Sequence, residues 1–257
     1  MYANYHTHTP RCNHAVGNER EYIETAIKSG IKILGFSDHA PMPFPHGYYS
    51  DFRMRPEQAE DYVKTLRNLR NEYRADIEIY IGYEAEYYPD IFDRFIEFIS
   101  QYECDYLILG QHFLGNEEKD VYSGAPTLRE RDICRYVDQV CEGIDTGKFT
   151  YIAHPDLINF RGEENIYRRE TERLCGYAAL KNIPLEINFL GIMDGRHYPN
   201  PLFWDIAKEC GCKAIFGCDA HSPKDVPDRE TLIYAERFAE EKKLEVIDKA
   251  ELISPVS

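Results

Sequence analysis

Short apolar runs alternate with helical patterns about seven times along this chain, which predicts an α/β fold with parallel strands and covering helices, most simply a closed or nearly closed barrel. A second observation concerns the histidines. His6, His8, His14, His39, His112, His154 and His221 each lie just behind a strand-like run or in the loop after one, and only His46 and His197 do not. Loops that follow parallel strands converge on one face of a barrel, so this pattern predicts a site there. Third, 257 residues with 43% hydrophobic content suffice for one buried core, read as a single domain over 1–257.

The elements follow in order. The first strand is the short start Tyr2-Ala3-Asn4-Tyr5, ending in His6-Thr7-His8. Side chains two apart on an extended segment share a face, so both imidazoles can reach one ion. Asn18 with Glu21 forms a capping-box pattern, and Tyr22, Ile23, Ala26 and Ile27 make a helical face that ends at Gly30. Strand 32–36 delivers Ser37-Asp38-His39. The proline-rich segment 40–55 reads as a loop over the site. Pro56 opens a helix with the stripe Ala59, Tyr62, Val63, Leu66, Leu69 and Tyr73.

Strand 78–83 ends in Glu84-Ala85-Glu86 and precedes a helix over 91–100; strand 106–109 leads into Gly110-Gln111-His112. Thr127 is read as the cap of a helix to about 142, after which strand 149–153 presents His154-Pro155-Asp156. A helix over about 166–181 precedes strand 184–187 and Asn188. Pro201 opens a helix to about 210, and strand 213–216 ends in Gly217-Cys218-Asp219-Ala220-His221. A helix over 229–242 and a short tail close the chain.

Forty-five acidic against thirty basic residues give a formal charge of -15, which disfavours a nucleic-acid partner. The N-terminal residues lack a charged stretch followed by an apolar one, and no run approaches the roughly 18 apolar residues of a membrane span. A cytoplasmic protein without a membrane partner is expected. The eight cysteines show no CxxC pair and read as free thiols. Cys12 and Cys218 lie among the candidate ligands, but a histidine and carboxylate set is complete without them.

His6, His8, His14, His39, Glu84, His112, His154, Asp219 and His221 supply nine nitrogen or oxygen donors. A catalytic zinc takes about three protein ligands, so nine donors suit three ions. Mixed imidazole and carboxylate favours zinc, manganese or iron. Clustered divalent ions activate water and neutralise charge on a phosphoryl group, which makes phosphate-ester hydrolysis the natural use. Asp38 and Asp156, beside two of the histidines, are candidates to orient them.

The ordered motifs H-T-H-T (6–9), His14, S-D-H (37–39), G-Y-E (82–84), G-Q-H (110–112), A-H-P (153–155) and G-C-D-A-H (217–221) resemble the PHP (polymerase and histidinol phosphatase) superfamily over essentially the whole chain. The segments H-P-D-L-I-N-F-R (154–161) and E-I-N (186–188), with Gly195-Arg196-His197-Tyr198-Pro199, look most like its histidinol-phosphatase branch. The resemblance implies a distorted (β/α)7 barrel, a trinuclear metal centre and hydrolysis of L-histidinol phosphate, a small-molecule phosphate ester, in histidine biosynthesis. Carried over by motif, His6, His8, Glu84 and Asp219 hold one ion, His14, His39 and His221 a second, and Glu84 bridges to a third held by His112 and His154. Glu84, Asp219 and His221 are then the catalytic residues. The G-x-E pattern selects Glu84 over its neighbour Glu86.

The resemblance also implies that Arg161 and Arg196 bind the substrate phosphate. A guanidinium can hold two phosphate oxygens and offset transition-state charge. Arg11 is a weaker third candidate. Tyr48, Tyr49 and Phe52 are candidates to line the pocket for the organic part of the substrate. Rival readings are another PHP activity, on a different small metabolite, phosphotyrosine or a phosphodiester, and an amidohydrolase-type C–N hydrolase. His14, His39 and Glu84 supply ligands for a third ion that such a hydrolase does not need. A noncatalytic binding protein would have lost ligands, and none is missing here.

Overall fold

Alternation along each strand sends one set of side chains into the barrel and the other under the helices. In the computed structural model, which describes residues 1–119 and 121–256, both sets are buried along most of the sheet. Among the described residues one parallel sheet runs in chain order through β1 (Ala3–Asn4), β2 (Ile33–His39), β3 (Glu78–Ala85), β4 (Tyr106–Leu109), β5 (Tyr151–Ile152), β6 (Leu185–Asn188), β7 (Lys213–Gly217) and β8 (Glu245–Val246). The helices are α1 (Glu19–Lys28), α2 (Ala59–Glu72), α3 (Phe92–Ile99), α4 (Glu130–Asp145), α5 (Glu164–Leu180), α6 (Phe189–Met193), α7 (Pro201–Glu209) and α8 (Arg229–Glu241).

The sheet curls until its ends meet at the mouth. Beyond β1 the chain stays extended, and Thr7 bridges Ala220 in the extension of β7. The His8 N–H donates to Ala220 O at 3.0 Å and the Ala220 N–H to His6 O at 3.3 Å. Lower down, β8 takes the free side of β7 through Lys213 with Glu245 and Ala214 with Val246. Closure therefore sits at the C-terminal ends of the strands, where the candidate site lies.

Aromatic rings fill the interior beneath it. Tyr5, Tyr106, Tyr151, Ile108 and Ile215 form one inner cluster, with Ala250 and Leu252 of the tail against it. Tyr106 Oη donates to Tyr5 O at 2.6 Å, and Gly35 and Gly82 lack the Cβ atoms that would collide with the Tyr106 ring. The larger core lies between sheet and helices.

The barrel expected from the sequence is present, with local differences. Thr127 does not cap α4: its hydroxyl accepts from the Arg129 N–H at 3.1 Å and donates to Asp132 at 2.6 Å, so the helix starts at Glu130. The eighth strand, two residues long, and α6, five long, are too short to carry a hydrophobic period. α6 forms because the Asn188 side chain accepts from the Gly191 N–H at 2.9 Å.

Candidate metal centre

Glu84, at the top of β3 and 1% exposed, stands at the middle of the strand ends. Its Oε1 lies 2.7 Å from His154 Nε2, 3.5 Å from His112 Nε2 and 3.6 Å from His6 Nε2. Oε2 lies 3.0 Å from His39 Nδ1 and 3.7 Å from His8 Nε2. One carboxylate thus faces five imidazoles, two on one oxygen and three on the other. Gly110 on the neighbouring strand makes room, because a Cβ there would run into the Glu84 carboxylate. Asp219 Oδ1 lies 3.0 Å from His8 Nε2 and 3.4 Å from His6 Nε2. Asp219 and His154 hold left-handed backbone, φ 49° and 30°. That conformation costs on the order of 1–3 kcal/mol outside glycine, and here it aims both side chains inward.

The outer nitrogens fix which ring atoms face the centre. His6 Nδ1 donates to Glu186 Oε2 at 2.9 Å, so in the neutral ring Nε2 presents a lone pair. His112 Nδ1 donates to Glu86 Oε1 at 2.9 Å. His14 Nδ1 donates to Cys12 O at 2.8 Å and His221 Nδ1 to Asp219 O at 2.9 Å. Carbonyls only accept, so with both rings neutral the Nε2 atoms of His14 and His221, 2.9 Å apart, turn two lone pairs toward each other. Of the two flanking aspartates, Asp38 Oδ1 lies 3.5 Å from His8 Nδ1, whereas Asp156 accepts from the Asn200 N–H at 2.6 Å.

This donor set fits divalent ions. His6 Nε2, both ring nitrogens of His8, His39 Nδ1 and Glu84 Oε2 are buried without a hydrogen-bond partner, a costly arrangement unless a cation meets them. Zinc–nitrogen bonds of about 2.0–2.1 Å at tetrahedral angles set donors roughly 3.3 Å apart, the spacing found around Glu84 and Asp219. Donor groups of three include His6, His8 and Asp219; His6, Glu84 and His154; His8, His39 and Glu84; and His14, His39 and His221. The Cys12 thiol approaches His8 and His221 as well, while Cys218 Sγ faces Met1 Sδ at 3.9 Å.

The electrostatics agree. Burial alone would raise Glu84, but the imidazoles of His112, His6 and His39 hold it well below the usual carboxylate range. Burial would lower His6, yet Glu186, Asp219 and Glu84 outweigh it and push it up to about 10. Burial, with His8 nearby, drops His221 to about 3. His6, raised above its unfolded value near 6.5, stabilises the metal-free fold below that pH, and the contribution is lost as pH rises through about 10. A metal ion held by His6 would displace this proton. Calorimetric zinc titration of metal-free protein at pH 7 should therefore release protons, with affinity rising toward pH 10; buffer-independent heats would contradict this.

Glu186 and Asn188 were not given roles by the sequence. Asn188 Nδ2 donates to Glu186 Oε1 at 2.8 Å and Asp219 Oδ2 at 3.0 Å, clamping the partner of His6 to a donor. Gly217 opens the space Glu186 occupies. The available signal was a glutamate and an asparagine on one face of an otherwise apolar strand. Glu186→Gln should weaken zinc binding about 10–100-fold by loosening the His6 tautomer, and unchanged affinity in a chelator competition would remove that role.

A cavity of about 480 Å³ opens over the centre, walled by His14, His39, His112, His154, Asp219 and His221 and, beyond them, by Phe52, Phe113, Tyr122, Leu157, Leu190, Asp194, Arg196 and Tyr198. Phe52 reaches this wall, whereas Tyr48 and Tyr49 line a separate groove. Arg196 is held by Asp194 Oδ2, at 3.0 Å from Nε and 2.7 Å from Nη2, and donates through Nη1 to Tyr198 Oη at 2.9 Å. Arg161 lies outside the wall, exposed, with Nε donating to Asn159 Oδ1 at 2.7 Å. Arg11 is turned away to Glu19 and Asp61.

The model of the PHP domain matches residues 4–189. This chain belongs to the PHP family. Among its PHP relatives, a probable histidinol-phosphatase of Deinococcus radiodurans is 30% identical over 228 residues, covering 86% of each chain. The histidinol-phosphatase of Bacillus subtilis is 26% identical over 251 residues, 86% of this chain and 94% of its own. In structure, the histidinol phosphate phosphatase of Lactococcus lactis, complexed with zinc, L-histidinol and phosphate, superposes with a TM-score of 0.76 at 19% identity, covering 100% of this chain and 98% of that one. No helix among the described residues is long and apolar enough to cross a membrane.

Proposed function

We propose that this PHP protein is a metal-dependent phosphomonoesterase that hydrolyses L-histidinol phosphate to L-histidinol and phosphate, one step of histidine biosynthesis. The observation that carries the reading is the ring of inward-facing imidazole nitrogens around Glu84 and Asp219, opening into a cavity with an arginine on its wall. The relatives named histidinol-phosphatase support the choice of ester.

His6, His8, His14, His39, Glu84, His112, His154, Asp219 and His221 would hold three divalent ions, zinc, manganese or iron. Such ions supply Lewis acidity toward the phosphoryl oxygens and lower the pKa of water. The protein's own part is geometric and electrostatic. Glu84 joins the two imidazole sets, and Asp219 joins His6 to His8. Arg196 is gripped on its Nε edge by Asp194, which leaves N–H groups on both terminal nitrogens for phosphate oxygens. Phe52, Phe113, Tyr122 and Leu157 give the organic part of the ester an apolar surface and exclude water there. Arg161 is proposed to assist from the rim, swinging in from Asn159. The expected location is cytoplasmic, with no nucleic-acid partner.

The test is phosphate release by metal-reconstituted protein from L-histidinol phosphate, beside sugar phosphates, phosphotyrosine and a phosphodiester, with a chelator control. A selective, chelator-sensitive rate on histidinol phosphate is expected. Equal rates across the panel, or turnover in excess chelator, would overturn it.

A further inference from the structure

The loop over the cavity and the donor His112 are joined by a buried cation with no role in the reading above. Arg53 is 1% exposed. Its Nε donates to Glu117 Oε1 at 3.0 Å, Nη1 to Ala40 O at 2.9 Å, and Nη2 to Glu86 Oε1 at 3.0 Å and to Glu117 Oε2. The same Glu86 Oε1 accepts the Nδ1–H of His112 at 2.9 Å. Next to it in the chain, Phe52 lies 4.5 Å from the guanidinium, stacks on Phe113 at 5.8 Å and sets its ring edge-to-face with His39 at 5.2 Å. One arginine thus organises a metal-ligand candidate, an aromatic wall of the cavity and the backbone at the start of the loop.

The charges make this more than packing. One guanidinium is shared by the carboxylates of Glu86 and Glu117, and the His112 N–H is directed at the same Glu86 oxygen that Arg53 grips. A divalent ion on the opposite nitrogen of His112 would polarise that N–H toward Glu86 and so strengthen the link to Arg53. By reciprocity, whatever the ion gains from Glu86, the arrangement of Arg53 and its loop gains from the ion.

We propose that Arg53 is a positioning residue that couples loop 40–55 to the ion held through His112, so that metal binding at this position and ordering of the loop are one event, with Phe52 delivered to the cavity wall by it. The coupling rests on the metal-dependent reading of the centre.

Hydrogen exchange of loop 40–55 in the full chain, metal-free and zinc-loaded, tests it, with zinc content measured in parallel. In the wild type zinc should slow loop exchange at least about tenfold, the reciprocal of a tenfold gain in ion affinity. Arg53→Met should weaken retention of one ion about 10–100-fold and abolish the zinc response of the loop. Arg53→Lys, which keeps the charge without the fork, should restore part of both. If Arg53→Met does not fold, Glu117→Gln takes a charged partner from the Arg53 fork and should shrink the response. Loop exchange indifferent to zinc in a wild type that binds it, or a wild-type response in Arg53→Met or Glu117→Gln, would overturn the coupling alone. Failure of the wild type to bind zinc at all would overturn the metal reading and the coupling with it.

Discussion

Glu84→Gln should lower phosphate-ester kcat/KM by at least about 10³-fold, the upper range for loss of one preorganised charge-stabilising group, and should leave fewer than three metal ions per chain. The substitution keeps the side-chain volume beside Gly110 and removes only the negative charge, so a folding defect is not expected. What is lost is specific: His6, His112 and His154 face one oxygen and His8 and His39 the other. A neutral amide offers one oxygen and turns an NH2 group toward imidazole lone pairs or cations. Glu86→Gln is the control. Glu86 faces the outer nitrogen of His112 and Arg53, not the centre, so its loss should cost about 10–100-fold in ion retention. Metal content by plasma emission and steady-state kinetics decide between them. A fully loaded, active Glu84→Gln would transfer the bridging role to Glu86.

That Glu84 rather than Glu86 faces the donors shows where sequence reasoning reached its limit. Both lie at one end of a strand, and alternation gives them the same face. Only the strand's end at Ala85 and the pull of Arg53 separate them, and neither is encoded in local spacing. The histidines were legible for the opposite reason. His14 and His221 are 207 positions apart and meet at 2.9 Å because each follows a strand whose neighbour the alternating order already fixes. Every donor placed by that rule was brought to the mouth.

Residues that act by holding other residues were harder to read. Glu186 sits on a four-residue strand where one charge among apolar neighbours has several explanations, and its meaning appears only with His6 in contact. Arg53 lies in a loop with no periodicity and finds partners from two later segments. Arg161 shows the converse: it follows a strand as the donors do, yet it is exposed and hydrogen-bonded to Asn159 at the rim. Position along a barrel chain specifies which end a residue occupies, not how far its side chain turns inward.

Arg196→Ala should reduce kcat/KM on phosphate monoesters by about 10²–10³-fold while leaving zinc content unchanged, and Arg161→Ala should cost less. The guanidinium touches no metal-ligand candidate; its bonds are to Asp194 and Tyr198. Its removal therefore takes away charge and phosphate donors without taking a hydrogen bond from His154 or Asp219. If Arg196 grips ground state and transition state alike, the loss falls on KM; if the contact strengthens as charge builds on the phosphoryl oxygens, it falls on kcat. Its anchoring favours a kcat effect, because an arginine already fixed on its Nε edge by Asp194 is not reoriented when the charge develops. Arg196→Lys separates charge from geometry. Lysine keeps the charge but lacks the edge that Asp194 holds, so only a fraction of the rate should return. Wild-type kinetics in Arg196→Ala with a full metal complement would remove the phosphate role and send the search to Arg161 at the rim.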